Sequence, residues 1–270
     1  MGGIEAIFIW AAVCLYAVAF VMFLGGMVFK KPRMPAYAYW VSFSAFLVHT
    51  IAIIARWREV GHLPVMHTYE NAVGGTWFVA AIYLGMRYIF PPSRPFGVAV
   101  IPVVLLVLGN GIQVGGTLQP LEAPYRSGWL YIHVFFGQIS FGAYVLAFAA
   151  AIMYLLKARG GGGLAQRLPD LKLLDELTFR LILFGFFAEA VMIASGAIWA
   201  HGLWGRYWAW DPVETWSLIS WLTYGLYLHL RVTMGWRGKR AAWLAIASLL
   251  GIAVLFFGIG FVSNLHTTIF

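Results

Sequence analysis

Between His201 and Trp216 the chain reads His201-Gly-Leu-Trp204-Gly205-Arg206-Tyr207-Trp208-Ala209-Trp210-Asp211-Pro212-Val213-Glu214-Thr215-Trp216. Trp204, Tyr207, Trp208, Trp210 and Trp216 fall within thirteen residues, with Arg206, Asp211 and Glu214 among them. One explanation is an interfacial aromatic belt, since Trp and Tyr are enriched where membrane meets water. A belt requires neither clustered acids nor a glycine that lets backbone approach a partner closely. The alternative is a flat aromatic surface for a ligand. Asp211, Pro212 and Glu214 also fit a helix start, with Asp211 as N-cap, Pro212 at the first position and Glu214 at the third.

A flat apolar surface suits a flat macrocycle, and haem is the candidate, because haem iron takes axial imidazoles. The chain has seven histidines. His133 and His266 are expected on the same side of the membrane as the aromatic segment, one on each flank, and form the candidate axial pair. His62, His67 and His201 share that side and stay open. His49 and His229 lie inside apolar runs, where an ionisable group is costly and marks a site or pathway. Arg206 and Arg126 are the outer-side cations suited to haem propionates. Taken singly, a histidine near a helix end is ordinary interfacial chemistry.

The elements that must position these residues follow from composition. Of 270 residues, 62% are hydrophobic and 10% charged, with mean hydropathy +0.82. A soluble domain carries about 25% charged residues, so lipid is the expected solvent. Apolar runs occur near 4–29, 37–56, 70–90, 97–115, 129–156, 180–200, 214–232 and 241–262. They predict an all-α polytopic bundle of about eight transmembrane helices, one integral-membrane domain over residues 1–270. Of the 18 Lys and Arg residues, 14 fall in four alternate connections and 4 in the others. That bias places the four on the cytoplasmic side, with both termini and residues 201–213 outside. It also accounts for the net charge of +8 without a nucleic-acid partner. Pro91, Pro92 and Pro95 stop a helix in the 90–96 turn. Gly160–Gly163 lacks the Lys-Ser/Thr of a phosphate loop and reads as a linker. Leu168–Leu177 has the pattern of an amphipathic segment on the inner membrane surface. The first run reads as a retained helix, and the lone Cys14 leaves no internal disulfide or CxxC pair.

The segment from Trp204 through Asp211-Pro212-Val213-Glu214-Thr215-Trp216 to Trp221 resembles the WWD domain of the CcsA/ResC family of cytochrome c biogenesis proteins, the membrane components of the System II haem lyase. Arg56-Trp57, Gly61-His62 and Tyr69-Glu70 resemble the family's outer loop after the second helix. Ile132-His133-Val134, Leu228-His229-Leu230-Arg231 and Leu265-His266 match its histidine positions. The likeness covers most of the chain.

What the resemblance implies is specific. His133 and His266 would ligate haem iron at an external site beside Trp204, Trp208, Trp210, Asp211 and Arg206, and His229 would bind haem within the membrane. The haem would be haem b, as substrate or ligand. The chain would serve in a holocytochrome c synthase with a CcsB-like partner protein, in a bacterial cytoplasmic or plastid thylakoid membrane. The product is two thioether bonds between haem vinyls and the cysteines of a CxxCH motif in apocytochrome c. On helical rise His229 lies about 20 Å below the outer end of its helix and His49 about 10 Å below its own. The two are therefore poor partners for one iron, and a second ligand for His229 is expected from the partner chain. Competing readings are a relay that passes haem to another synthetase and a non-catalytic HemX-like membrane protein.

Overall fold

The computed structural model describes residues 2–89, 96–118, 120–160 and 165–262, with backbone alone over 252–262. The 90–95 turn, Gly161–Gly163 and His266 lie outside the described residues. The described residues form eight α-helices: α1 Gly3–Val28, α2 Met34–Val60, α3 Thr68–Ile89, α4 Gly97–Val114, α5 Gly128–Arg159, α6 Leu171–Trp204, α7 Pro212–Val232 and α8 Lys239–Val262. No strand occurs among them. Five of the helices, α1, α2, α4, α5 and α6, are long and apolar enough to cross a membrane. This is the polytopic helical bundle that hydropathy predicts.

Helix α5 is the axis of the bundle and packs against α3, α4, α6 and α8. Its middle, Gly142–Ala147 and Ala149–Ala151, is buried on all sides. Small residues make that possible, since Ala and Gly let neighbouring backbones approach without the help of a water-driven hydrophobic force.

The α5–α6 contact has one fixed antiparallel register. A Cβ added at Gly196 would lie 2.6 Å from the His133 ring, at Gly185 2.5 Å from Tyr144, and at Gly137 3.2 Å from Met192. In all three pairs the residue numbers add to the same value, so α5 and α6 interlock through glycine notches spaced along both helices. Gly185 receives the Tyr144 ring and Gly196 receives His133.

Ion pairs identify the two ends of the bundle. At one end Arg56 of α2 bonds Glu70 of α3 at 2.8 Å, Glu5 of α1 at 3.2 Å and the Thr117 carbonyl at 2.8 Å. Tyr69 donates to Glu5 at 2.6 Å. At the other end Asp175 of α6 pairs with Arg231 at 2.7 Å and accepts from the Gly238 N–H at 2.8 Å. There Arg167 reaches the Gly26 carbonyl at 3.3 Å, and the Arg87 guanidinium lies 4.7 Å over the Tyr39 ring. The four basic connections therefore share one end and the aromatic segment sits at the opposite end.

Residues 168–177 do not form a separate surface helix. From Leu171 onward they are the first turns of α6, with Leu168, Leu174 and Thr178 buried in the bundle. The amphipathic pattern reflects Asp175 and Leu174 facing neighbouring helices. At 1.5 Å per residue the 34 residues of α6 span about 51 Å, well beyond the ~30 Å hydrocarbon core. Both its ends thus reach past the apolar layer.

Arg56, Glu5 and Glu70 are each at most 2% exposed, so removing the guanidinium leaves two buried carboxylates without a cation. Arg56→Ala is expected to destabilise the chain by about 3–5 kcal/mol, read as a lower thermal unfolding midpoint in detergent. An unchanged midpoint would show that the cluster does not hold α1, α2 and α3 together.

Candidate haem-binding surface

Helix α6 ends at Gly205, whose φ of 70° is a left-handed C-cap that L side chains avoid. The chain then turns through Arg206–Trp210 into α7. Trp210 itself has φ 59°, a rare value for a bulky residue, and one that needs support from its surroundings. Glu214 supplies that support: its Oε2 accepts from the Ala209 N–H at 2.6 Å, while Asp211 Oδ1 accepts from the Glu214 N–H at 2.8 Å. Asp211 is the N-cap and Pro212 opens α7, as the spacing predicts. The Glu214 carboxylate, however, passes over the Asp211 N–H that a capping box would use and braces the loop two residues earlier. The left-handed turn at Trp210 brings the Ala209 N–H within its reach.

The loop displays its aromatic rings outward. Trp204, Tyr207 and Trp210 are 40%, 57% and 68% exposed, which is unusual for rings that a soluble core would cover. Trp208 is half-buried and meets Trp210 edge-to-face at 5.7 Å. The Trp208 indole N–H is buried without an acceptor. Tyr207 stacks on His201 with centroids 4.1 Å apart and planes at 14°, so His201 anchors the loop to the end of α6. Arg206 is exposed and has no ion-pair partner among the described residues.

His133 lies in the second turn of α5, and its Nδ1 is 2.8 Å from the Met192 carbonyl of α6. A carbonyl only accepts, so Nδ1 carries the proton and Nε2 is left with a free lone pair. This is the tautomer a metal-binding imidazole needs, with its other nitrogen held by a backbone carbonyl. The Trp199 ring lies near His133 at 6.4 Å and 28°, and Trp204 follows at 6.1 Å. His133, Trp199 and Trp204 thus form a continuous run of rings leading into the loop. Sequence reasoning missed Trp199. It stands five residues before Trp204, its N–H donates to the Pro124 carbonyl at 2.9 Å, and Tyr125 lies 6.3 Å away. Arg126 instead folds back on the Leu121 carbonyl at 3.2 Å, which leaves Arg206 as the freer cation.

The remaining histidines separate by environment. His49 is fully buried between α1 and α2, edge-on to Tyr16 at 6.1 Å. His229 is exposed on α7 and makes a 3.4 Å contact with Thr233. It shares its stripe with Leu222 and Leu226, opposite the buried stripe of Ser220, Tyr224, Tyr227 and Arg231. His49 and His229 therefore do not face a common site. His62 is buried, with Nδ1 2.9 Å from the Leu63 carbonyl. His67 borders an open cavity of about 450 Å³ lined also by Thr68 and Val114–Thr117.

Residues 6–266 match the family described as Cytochrome C assembly protein. The chain belongs to that family. A cytochrome c biogenesis protein CcsA from Parasynechococcus marenigrum is 33% identical over 256 residues, 83% of each chain. The CcsA of Guillardia theta is 32% identical over 270 residues, covering 90% of this chain and 89% of its own. That of Gloeobacter violaceus is 32% identical over 285 residues and 83% of each. Among solved structures, Cytochrome c Heme Lyase CcmF superposes with a TM-score of 0.72 at 18% identity, over 95% of this chain and 48% of that one. At that identity the likeness is one of fold, and the chain spans about half the length of CcmF.

The N-cap makes a further expectation concrete. Asp211→Ala removes the acceptor for the Glu214 N–H and should lower stability by about 0.5–2 kcal/mol, with loss of the strained Trp210 turn. Asp211→Asn keeps an acceptor oxygen and should restore most of it. Thermal unfolding of the three proteins, with Trp emission as a loop probe, checks this; equal loss in Ala and Asn variants would point to the charge instead.

Proposed function

We propose that this chain binds haem b at the aromatic end of the bundle and presents it for covalent attachment to apocytochrome c. It works as a single integral-membrane unit of a holocytochrome c synthase. The observation that carries the proposal is the His133 imidazole, held through Nδ1 on the Met192 carbonyl with Nε2 free, at the edge of an exposed Trp surface. Haem suits these residues on three counts. Its macrocycle matches exposed flat rings, its iron matches a neutral imidazole nitrogen, and its propionates match the Arg206 fork and the orphaned Trp208 N–H. His266, outside the described residues, is the proposed second external ligand.

The protein's contribution is orientation. Stacking on Trp204, Trp208 and Trp210 sets the plane of the macrocycle and His133 sets the position of its iron, while the Asp211–Glu214 brace keeps the loop rigid. Each thioether forms when a cysteine S–H of the CxxCH motif adds across a vinyl C=C. The sulfur bonds one carbon, the hydrogen ends on the other, and no redox change occurs in the bond-forming step. The histidine of the motif would then displace one axial imidazole and release the product.

Family membership supports a role in cytochrome c maturation, and the basic end is proposed to face the cytoplasm of a bacterium or the stroma of a plastid. On that orientation the Trp loop lies outside. His229 faces outward from the bundle, so the intramembrane haem it is proposed to bind takes its second ligand from outside this chain, from a CcsB-like partner. Haem is proposed to pass from there to the external surface.

Co-expression with a CcsB-like partner and a c-type cytochrome reporter tests the proposal. Covalent haem on the reporter, lost with Trp208→Ala plus Trp210→Ala, is the expected result. Haem accumulation in the membrane with no covalent product in the intact system would instead indicate a relay that serves another synthetase.

A further inference from the structure

Glu189 is the one acid in the middle of an apolar run, and nothing in the haem-binding surface uses it. It sits near the midpoint of α6 and is 4% exposed. An unassisted carboxyl in that position is costly in a lipid environment, so its retention calls for partners. One comes from α5 and leads on to α7. The Tyr144 hydroxyl of α5 donates to Glu189 Oε2 at 2.6 Å. Ser220 of α7 is buried on the same stripe as Tyr224. The Tyr144 ring is stacked on Tyr224 of α7, centroids 3.5 Å apart and planes at 12°. The Gly185 notch, one turn before Glu189, is what lets the Tyr144 ring lie against α6.

These contacts join the three helices that carry the haem-binding surface. His133 is on α5, Met192 and Trp199 are on α6, and α7 begins at the Asp211–Glu214 brace. Glu189 precedes Met192 by three residues, about 4.5 Å along the helix. A change of rotation or depth at Glu189 would therefore pass directly to the Met192 carbonyl and to the imidazole that it holds. The glycine notches set α5 against α6; apolar contacts with α7 add little selection in lipid, because the surrounding solvent is equally apolar. The hydrogen bond from Tyr144 to the carboxyl, with Tyr144 stacked on Tyr224, adds a directional selection that includes α7.

We propose that Glu189 is a positioning residue for haem binding: through Tyr144 and the Tyr224 ring stacked on it, Glu189 sets α5, α6 and α7 so that His133 meets the Trp loop. The proposal rests on His133 being a haem ligand. It predicts that Glu189 acts through its acceptor oxygens, so Gln substitutes for it and Leu does not. It also predicts that removing the Tyr144 hydroxyl alone, with the ring kept, reproduces part of the Leu effect.

The test is the rate at which haem passes from the purified, haem-loaded chain to excess apomyoglobin, with the thermal midpoint recorded separately. Glu189→Leu is expected to release haem about tenfold faster, the equivalent of one lost hydrogen bond of about 1.4 kcal/mol. Tyr144→Phe should move in the same direction and Glu189→Gln should stay within about twofold of the wild type, as one acceptor replaces another. Wild-type release from Glu189→Leu overturns the proposal, as does a lowered midpoint with no change in release. Equal acceleration in the Gln and Leu variants also overturns it. If the Leu variant does not accumulate, Tyr144→Phe decides, and wild-type release from it refutes the proposal. His133→Ala runs alongside: fast release from His133→Ala with slow release from Glu189→Leu refutes this inference alone, whereas slow release from His133→Ala refutes the haem-ligand reading beneath it.

Discussion

The antiparallel register of α5 against α6 is the constraint on which the rest of the surface depends. His133 fits beside Gly196, Met192 beside Gly137 and Tyr144 beside Gly185. Sliding either helix by one turn would put a Cβ or a larger side chain where each ring now lies. The same register delivers the Met192 carbonyl to the His133 Nδ1. A packing rule in lipid, small residues where backbones meet, thus fixes the tautomer of an imidazole at the end of the bundle. The step from packing to chemistry needs only one hydrogen bond.

Polar groups elsewhere follow the same logic. Each buried charge lies where it joins several helices. Arg56 with Glu5 and Glu70 ties α1, α2 and α3 at the aromatic end. Glu189 ties α6 to α5 in the middle, where Tyr144 in turn stacks on Tyr224 of α7, and Arg231 with Asp175 ties α6 to α7 at the basic end. In a medium that cannot solvate them these groups persist only with partners, and each set of partners also selects a helix arrangement. The exposed side of α7 carries Val213, Ile219, Leu222, Leu226, Val232 and one histidine, His229, the exception that suits a contact from another chain.

Much of this was legible in the sequence, for identifiable reasons. Eight apolar runs mark eight helices because length and hydropathy are properties of a segment alone. The N-cap at Asp211 and the helix start at Pro212 were legible because capping is local. The basic connections sharing one end followed from alternation. What the residues alone did not reveal is what depends on distance between helices. Trp199 joins the surface only because α6 continues to Trp204 and the loop before α5 folds over it. Glu214 reaches Ala209 because Trp210 turns left-handed, which no spacing rule indicates. Leu168–Leu177 looked like a surface segment because its buried side faces protein and its pattern cannot distinguish protein from lipid headgroup. Glu189 is a lone acid in an apolar run, a signal of function that the reading of the residues passed over.

On the proposed reading, His133, with its Nδ1 held by Met192, offers Nε2 to haem iron beside the Trp loop. The most direct measurement is the absorption and electron paramagnetic resonance spectrum of haem copurified with the wild-type chain and with His133→Ala. A low-spin, six-coordinate signal is expected in the wild type, and its loss or conversion to high spin in the variant. A low-spin signal of equal amount and unchanged position in His133→Ala would contradict that reading.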